Sequence, residues 1–357
     1  MTFISTLGQS LDQIDRIKTT QLNLADLQQQ VSTGKKTQLF KGLGTDVLGS
    51  KRARTDLAQI AEFDRNITIG DRRIKLMIQS LSQIKVQAEN VTNAIQIQTQ
   101  QGEFEMESVS DLAQKANVFI KDLINQTDGD RYLFGGAETR AQPISTSGTL
   151  DSFNRGRLDD WVNGTISTDD LVNGYRDKAV LNDTLVGYSA ELTQGTSRNV
   201  FIRADEFTEV DYTVFANDPA IRDIVAALSM TGQIAEVLDE VTLEADDPAS
   251  TVTAPGASQQ EQNDNFYQMF NDLSAMINQA IDNIDRRVSD LSQNLAQIDS
   301  IKNAHTLEKN ILEQSVDDIE NVDINEAAVK LNALQFQLEA SYRVTATLSQ
   351  LSLVNFI

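Results

Sequence analysis

The C-terminal third of the chain contains the stretch 265-NFYQMFNDLSAMINQAIDNIDRRVSDLSQNLAQI-298, in which an apolar residue recurs at every seventh position. No Gly or Pro occurs from residue 265 to residue 357, so nothing there obliges a helix to break. The row consists of Phe270, Ile277, Ile284, Leu291, Ile298, Leu312 and Ile319, with His305 in its one polar position. Such a narrow stripe predicts a long helix that packs along another helix, with His305 in a structural role.

A second helix is predicted after residue 322. Asp323 and Glu326 form a capping pair, in which Asp accepts from backbone N–H groups while Glu reaches back. The helix carries Leu331, Leu334, Leu338, Leu348 and Leu351 and ends in the apolar sequence 353-LVNFI-357. An apolar helical end on an acidic chain predicts a partner that covers it.

The N-terminal part repeats this pattern. Residues 2–31 predict a helix whose apolar residues lie on or near one face: Ile4, Leu7, Leu11, Ile14, Leu24, Leu27 and Val31, with Ile17 and Leu22 widening it. A glycine-containing connector follows, and residues 46–102 then predict a long helix with a seven-residue row at Ala53, Ile60, Ile67, Ile74, Leu81, Ala88 and Ile95. Leu57, Ile78, Ile84 and Val91 supply a weaker second row. A break at Gly102 and a shorter helix from Glu107 to Gln126 complete this half.

Residues 140–260 differ in composition, because all four prolines and the single tryptophan, Trp161, lie there. Alternating runs at 184–190, 199–204 and 210–215 predict strands. Pro219 predicts the start of a helix that runs to about Val241, and residues 245–258 predict a linker. We therefore expect a mixed insertion that is rich in β structure.

The predicted fold is mainly α, with long antiparallel, coiled-coil helices from both chain ends enclosing a mixed α/β insertion that contains strands. The predicted divisions are an N-terminal axial helix and loop (1–45), a long and a shorter bundle helix (46–139), the insertion (140–260), a long C-terminal bundle helix (261–322) and a C-terminal axial helix (323–357). The predicted bundle core is Ile60, Ile67, Ile74, Leu81, Ile277, Ile284, Leu291 and Ile298.

Composition argues against several classes of function. The net charge of −22 disfavours contact with nucleic acid, and no apolar run is long enough to span a membrane. The chain has no cysteine and one histidine, so we predict no catalytic site, no cofactor and no metal site. The first nine residues lack the basic start and apolar run of a cleavable signal peptide.

Three stretches carry a resemblance to a known family. The sequence 3-FIST-6 with 31-VSTGKK-36 resembles the N-terminal region of bacterial flagellins and of the flagellin-like proteins of the hook–filament junction. The sequence 128-DGDRYLFGG-136 is similar to the point in the junction proteins where the helical part turns into the outer domain. The sequences 338-LEASYR-343 and 348-LSQLSL-353 resemble the closing helix of the family.

The resemblance implies a structural, non-enzymatic role in motility: a self-assembling subunit that joins the hook to the flagellin filament. It implies a homo-oligomer in a tubular assembly, contacts with a neighbouring hook-associated protein and with flagellin, an export chaperone, and type III export to the extracellular flagellum. The implied axial assembly interface is Ile4, Leu7, Leu11, Ile14, Leu24, Leu27, Leu331, Leu334, Leu338, Tyr342, Leu348, Leu351 and Val354. No membrane or nucleic-acid partner is implied.

Two alternatives stay open at this point. The chain resembles flagellin itself, the main filament subunit, nearly as well. A cell-surface module that binds a ligand on a flagellin-like scaffold is the other alternative, with Trp161, Tyr175 and Tyr188 as its candidate contacts.

Overall fold

The computed structural model describes residues 3–101, 105–147, 149–238 and 254–354, with side chains throughout except at 3–7, 9, 10, 100, 101 and 348–354. Its elements are, in chain order, α1 (Phe3–Thr33), α2 (Val47–Gln101), α3 (Met106–Ile124), β1 (Thr127–Asp128), β2 (Arg131–Tyr132), α4 (Thr149–Val162), α5 (Thr168–Asn173), α6 (Asp183–Val186), α7 (Ala190–Thr193), β3 (Phe201–Arg203), β4 (Glu209–Asp211), α8 (Pro219–Thr231), α9 (Ile234–Val237), α10 (Gln259–Glu320) and α11 (Ile324–Val354). Short 3₁₀ turns lie at Phe40–Asp46 and Gly174–Arg176. The predicted break at Gly102, most of the 245–258 linker and the last three residues lie outside the described residues.

The chain divides into two compact units. The terminal unit consists of Met1–Glu62 and Asn303–Ile357, and the central unit of Phe63–Lys302. Each unit receives part of α2 and part of α10. The mainly helical fold, with long helices from both ends packing together, is confirmed.

In the terminal unit, α1 packs along α11. The two helices run antiparallel, because the chain after α1 pairs with the chain before α11: Lys35 forms an antiparallel bridge with Asn321, and Val322 N–H donates to the Gly34 carbonyl at 3.0 Å. Further along the pair, Gln21 Nε2 donates to Tyr342 Oη at 2.6 Å. At the start of α11, the N–H groups of Asn325 and Glu326 donate to Asp323 Oδ1 at 2.9 and 3.3 Å, so the predicted Asp cap is confirmed.

In the central unit, apolar rows of α2 and α10 are buried. Lys85 Nζ, on α2, lies 2.7 Å from Asp285 Oδ2, on α10, so the two helices lie side by side at this point. α3 packs on α8, and α8 packs on α4, which extends the same core into the insertion. The second row of α2 runs through Met77, Ile84 and Val91, while Ile78 is half-buried beside it. The sequence predicts Ile78 in this row, but the heptad position is that of Met77, one residue earlier.

The prediction that the insertion is rich in strands is wrong for the described residues. Residues 184–190 carry the ends of two short helices, because Asn182 and Ser189 each accept from a backbone N–H three residues on and so begin a helical turn. The other two predicted strands are present as the antiparallel hairpin β3–β4. The helix that opens at Pro219 ends at Thr231, ten residues before the predicted end, and α9 follows after Gly232-Gln233.

None of the helices in the described ranges is long and apolar enough to cross a lipid bilayer.

Candidate assembly interface

The contact between α1 and α11 follows a heptad on both helices. The inward-facing residues are spaced four and three apart, and they are Gln13, Ile17, Thr20, Leu24, Leu27 and Val31 on α1 and Ala327, Leu331, Leu334, Leu338, Ser341 and Thr345 on α11. This spacing is that of the seam of a two-helix coiled coil. Several seam positions are polar or small, which reduces the apolar area that the pair buries.

The seam is only partly covered. Among the described side chains of α1 and α11, Ala327 alone is buried, and the leucines of the seam stay half-exposed. The corresponding rows of the central unit are closed, with Ile74, Leu81 and Ile284 fully buried. A pair of helices that buries so little of its apolar surface is marginal by itself, since helix stability in proteins comes mainly from packing.

The outer faces of the pair carry further apolar side chains. Leu22 is 64% exposed and Phe336 is 75% exposed, values typical of residues in open solvent. Among the side chains of the two helices that the structure describes, the exposed large apolar or aromatic ones are Leu11, Ile14, Leu22, Ile324, Val329, Phe336, Tyr342 and Val344. The surface of a soluble protein rarely carries so many large apolar residues so close together. Where it does, that surface usually contacts another macromolecule.

The structure therefore divides the predicted axial residues into two sets. Leu24, Leu27, Leu331, Leu334 and Leu338 lie in the seam within the chain. Leu11, Ile14 and Tyr342 lie outside it and are exposed. The side chains of the remaining predicted residues, Ile4, Leu7, Leu348, Leu351 and Val354, lie outside the described set.

Sequence reasoning missed Val329, Phe336 and Val344 because it followed a single apolar stripe along α11. A signal was present, since Val329 and Phe336 are seven residues apart and form a second row. A second apolar row on a helix offers a surface beyond the one that packs within the chain.

A buried carboxylate joins three segments of the terminal unit. Glu320, at the end of α10, accepts from Arg54 Nε and Nη2 at 2.7 Å each and from Ser50 Oγ at 2.6 Å, and Lys35 Nζ lies 3.3 Å away. The Glu320 carbonyl also accepts from Lys36 N–H at 2.8 Å. These contacts tie the start of α2 and the connector after α1 to the end of α10.

The electrostatics of this cluster follow from its contacts. The Arg54 guanidinium, then the Ser50 hydroxyl and the Lys35 ammonium, lower the pKa of the Glu320 carboxyl from 4.5 to about 2, although burial alone would raise it. The Arg54 pKa rises in return, chiefly because of the hydrogen bond to Glu320. Glu320 is thus held as a carboxylate at every ordinary pH.

The 131-RYLFGG-136 motif anchors the insertion in the central unit. Phe134 is fully buried, and its carbonyl accepts from Ala216 N–H at 2.9 Å. The Gly135 carbonyl accepts from Ser197 Oγ at 2.8 Å. Gly136 has a φ of +65°, and an added Cβ would lie 2.5 Å from Phe215 Cε1, so the chain needs glycine here. The motif is therefore a packing site where three stretches of chain cross.

The predicted bundle-core residues of both long helices are all buried: Ile60, Ile67, Ile74, Leu81, Ile277, Ile284, Leu291 and Ile298. His305 is buried as well, at the polar position of the same row.

The aromatic residues of the ligand-binding alternative do not lie on a surface. Trp161, Tyr175 and Tyr188 are buried. The Trp161 indole N–H donates to Thr168 Oγ1 at 3.0 Å, and Tyr175 Oη donates to Asn154 Oδ1 at 2.6 Å. These side chains pack the insertion, so the candidate contacts of the ligand-binding alternative are not available on the surface.

Little in the structure suggests chemistry. In the described ranges no group of three or more His, Asp or Glu side chains is placed to hold a metal ion. A wide, open cleft of about 470 Å³ lies between the start of α8 and α10, where Arg287 pairs with Asp218 at 2.8 Å. A cleft this open does not enclose a small molecule.

Residues 274–357 match the family model of the bacterial flagellin C-terminal helical region. This confirms the resemblance to flagellins for α11 and most of α10. No curated protein matches the chain at a significant level.

Two solved structures are similar to this chain, each at 12% sequence identity. One, from Vibrio parahaemolyticus, is described as a candidate flagellar hook-associated protein; the match covers 77% of this chain and 97% of that one, with a TM-score of 0.44. The other is FlgL of Bacillus cereus, with 74% and 98% of the two chains covered and a TM-score of 0.48.

Proposed function

We propose that the chain is a structural subunit of the bacterial flagellum that joins the hook to the flagellin filament. The observation that carries the proposal is that the α1–α11 pair leaves much of its apolar surface exposed. Its seam is half-exposed and its outer faces carry exposed apolar residues. Residues 274–357, which include α11, match the flagellin C-terminal helical region. Such a pair gains stability only when neighbouring molecules cover it.

In this proposal, copies of the chain assemble through the terminal unit. The exposed residues Leu11, Ile14, Leu22, Val329 and Phe336 contact α1 and α11 of adjacent copies. Burial of apolar area supplies the driving force, at about 25 cal/mol per Å². The contacts with flagellin and with a neighbouring hook-associated protein, export through the flagellar channel and protection by an export chaperone belong to the same proposal.

The central unit has the opposite character, which fits an outward position in a tubular assembly. Its core is closed, and the buried Trp161 and Tyr175 have hydrogen-bond partners within the chain. Its folding therefore depends less on a neighbour than that of the α1–α11 pair.

A deletion strain tests the proposal. Cells that lack the chain should keep hooks, bear no attached filaments and release unassembled flagellin into the medium, and the wild-type gene should restore the filaments. Normal filaments on the deletion strain would refute the junction role. Loss of flagellin itself from both the cells and the medium would instead make the chain the filament subunit.

A further inference from the structure

The connector between α1 and α2 carries a concentration of positive charge in an acidic chain. Residues 35–54 contain six of the 30 lysines and arginines and a single acid, Asp46, so the segment has a net charge of +5 while the rest of the chain carries −27. Lys35 and Arg54 are engaged by Glu320. Lys41, Lys51 and Arg52 are exposed and form no ion pair with any described residue.

Apolar side chains lie among these free cations. Leu39 is 72% exposed, Phe40 and Leu48 are also exposed, and the Lys51 ammonium lies 5.7 Å from the centre of the Phe40 ring. We call this region, residues 35–54, the basic loop surface. A combination of exposed aromatic and apolar side chains with cations at the edge is typical of a protein contact surface.

The tip of the β3–β4 hairpin has the complementary composition. Phe207, in the turn, is 90% exposed, the highest value among the large apolar residues of the described chain. Its neighbours Asp205, Glu206 and Glu209 are exposed and form no ion pair with any described residue.

The hairpin is held rigidly below its tip. Ala204 N–H donates to the Thr208 carbonyl at 2.9 Å and closes the turn, and Arg203 Nη2 donates to the Glu206 carbonyl. Ile202 is buried directly against Gly70 of α2. Phe207 is therefore presented on a fixed support, which lowers the entropy cost of a contact.

We propose that the hairpin tip of one copy binds the basic loop surface of a second copy, with Phe207 packed among Leu39, Phe40 and Leu48 and with Asp205 and Glu206 facing Lys51 and Arg52. Charge complementarity favours a second copy as the occupant, because residues 35–54 carry a net charge of +5 with cations that no described acid pairs, and the hairpin tip carries unpaired acids. The inference rests on the proposed self-assembly and names one of its contacts.

The two surfaces are different, so the contact is heterologous. Each copy that uses its hairpin on one neighbour keeps its own basic loop surface free for another. Contacts of this kind extend into rings or open helical arrays rather than stopping at a dimer. Tubular assemblies are built from such contacts.

Disulfide formation between introduced cysteines tests the proposal, since the chain has no cysteine of its own. Full-length Leu39→Cys and Phe207→Cys variants, one of them tagged for size, are mixed and oxidised at low ionic strength. The mixed dimer should exceed both homodimers several-fold, and added salt at about 1 M should reduce it because the attraction is screened. A Val118→Cys variant is the matched control for Phe207→Cys, since Val118 is also exposed on the central unit and lies outside the hairpin.

A charge exchange gives the second readout. Lys51→Glu with Arg52→Glu in the Leu39→Cys chain should lower the yield of mixed dimer several-fold, and Asp205→Lys with Glu206→Lys in the Phe207→Cys chain should restore it. A mixed dimer no more abundant than the Val118→Cys control, or no restoration, would overturn the contact. If the chain still polymerises in that case, the proposed function stands without this contact; if it neither polymerises nor cross-links, both are wrong.

Discussion

Arg54 holds both carboxylate oxygens of Glu320, with its Nε and Nη2 each 2.7 Å from a different oxygen. This two-point contact joins the start of α2 to the end of α10 inside the terminal unit. The Glu320 side chain is 9% exposed while that of Arg54 is 48% exposed, so the carboxylate is the buried partner. Loss of its cation would leave a buried charge without compensation, which is the costly way to break such a pair.

Replacement of Glu320 by Gln should therefore destabilise the terminal unit. The amide keeps the size of the side chain but loses the charge-assisted hydrogen bonds to Arg54 and Lys35. We expect a loss of about 1–3 kcal/mol in the free energy of unfolding, measured by urea denaturation. Glu326→Gln is the control, because Glu326 forms only an exposed contact with Lys330 and its replacement should change stability by less than about 0.5 kcal/mol. Equal effects of the two substitutions would contradict the role of Glu320.

The same cluster predicts a dependence on pH. The pKa of Glu320 is lowered from 4.5 to about 2, so the folded state favours the carboxylate and the stabilisation is complete above pH 4.5. This stabilisation of the folded state should be lost as the pH falls from 4.5 towards 2. Its contribution to the free energy of unfolding is at most about 3 kcal/mol. The difference in unfolding free energy between wild type and Glu320→Gln should shrink over that range. A difference that stays constant down to pH 2 would show that the Glu320 pKa is not lowered.

A glycine in α2 should respond to substitution in the opposite way from an ordinary helical glycine. A Cβ added at Gly70 would lie 2.1 Å from Ile202 Cδ1, in a buried contact, so Gly70→Ala should destabilise the central unit by about 1–3 kcal/mol. Gly156, in the exposed part of α4, has nothing within 4 Å of an added Cβ, and Gly156→Ala should stabilise by about 0.5–1 kcal/mol. Thermal unfolding followed by circular dichroism measures both. Stabilisation by Gly70→Ala would mean that the hairpin does not pack closely on α2.

Substitutions at an exposed and at a half-buried apolar residue of α11 should distinguish a contact needed for assembly from one needed for folding. Phe336→Asp should abolish polymerisation, measured by light scattering, and should leave the melting temperature of the monomer unchanged, because Phe336 is exposed. Leu334→Asp should also lower the stability of the α1–α11 pair, since Leu334 lies in the seam. Val118→Asp, at an exposed position of the central unit, is the control and should affect neither quantity. Normal polymerisation of Phe336→Asp would rule out the outer face of α11 as a contact.

Hydrogen exchange should distinguish the two units in the unassembled chain. Amides of α1 and α11 should exchange faster than those at the middle of α2 and α10, because the α1–α11 seam is half-exposed while Ile74 and Ile284 are fully buried. Polymerisation should slow exchange in α1 and α11 and leave the buried core of the central unit, away from the hairpin tip, unchanged. Slow exchange in α1 and α11 of the free chain would contradict the proposal that assembly stabilises them.

The long helices could be predicted from sequence because their signal is repeated many times. Ile60, Ile67, Ile74 and Leu81 fall on one row, and a heptad of that length has only one structural explanation. The Asp323 cap was also visible, since a cap depends on residues three apart and not on tertiary contacts.

The insertion was harder to predict because local capping outweighs composition there. The alternation of residues 184–190 predicts a strand, but Asn182 caps a short helix that includes residues 184–186 and Ser189 caps one that begins at residue 190. Similarly, the hydrogen bonds and ion pairs of Glu320 bring together residues that are up to 285 positions apart in the chain. A single sequence contains no local sign of such a pairing, so a lone glutamate at a helix end reads as an ordinary surface charge.

The position of the chain on the flagellum distinguishes a junction protein from a filament subunit. Antibodies raised against residues 140–260 would be applied to intact cells and located by immunogold electron microscopy. Our account predicts gold confined to a short zone between the hook and the filament. Gold along the whole filament would make the chain a flagellin, and the absence of gold from every flagellum would contradict the account.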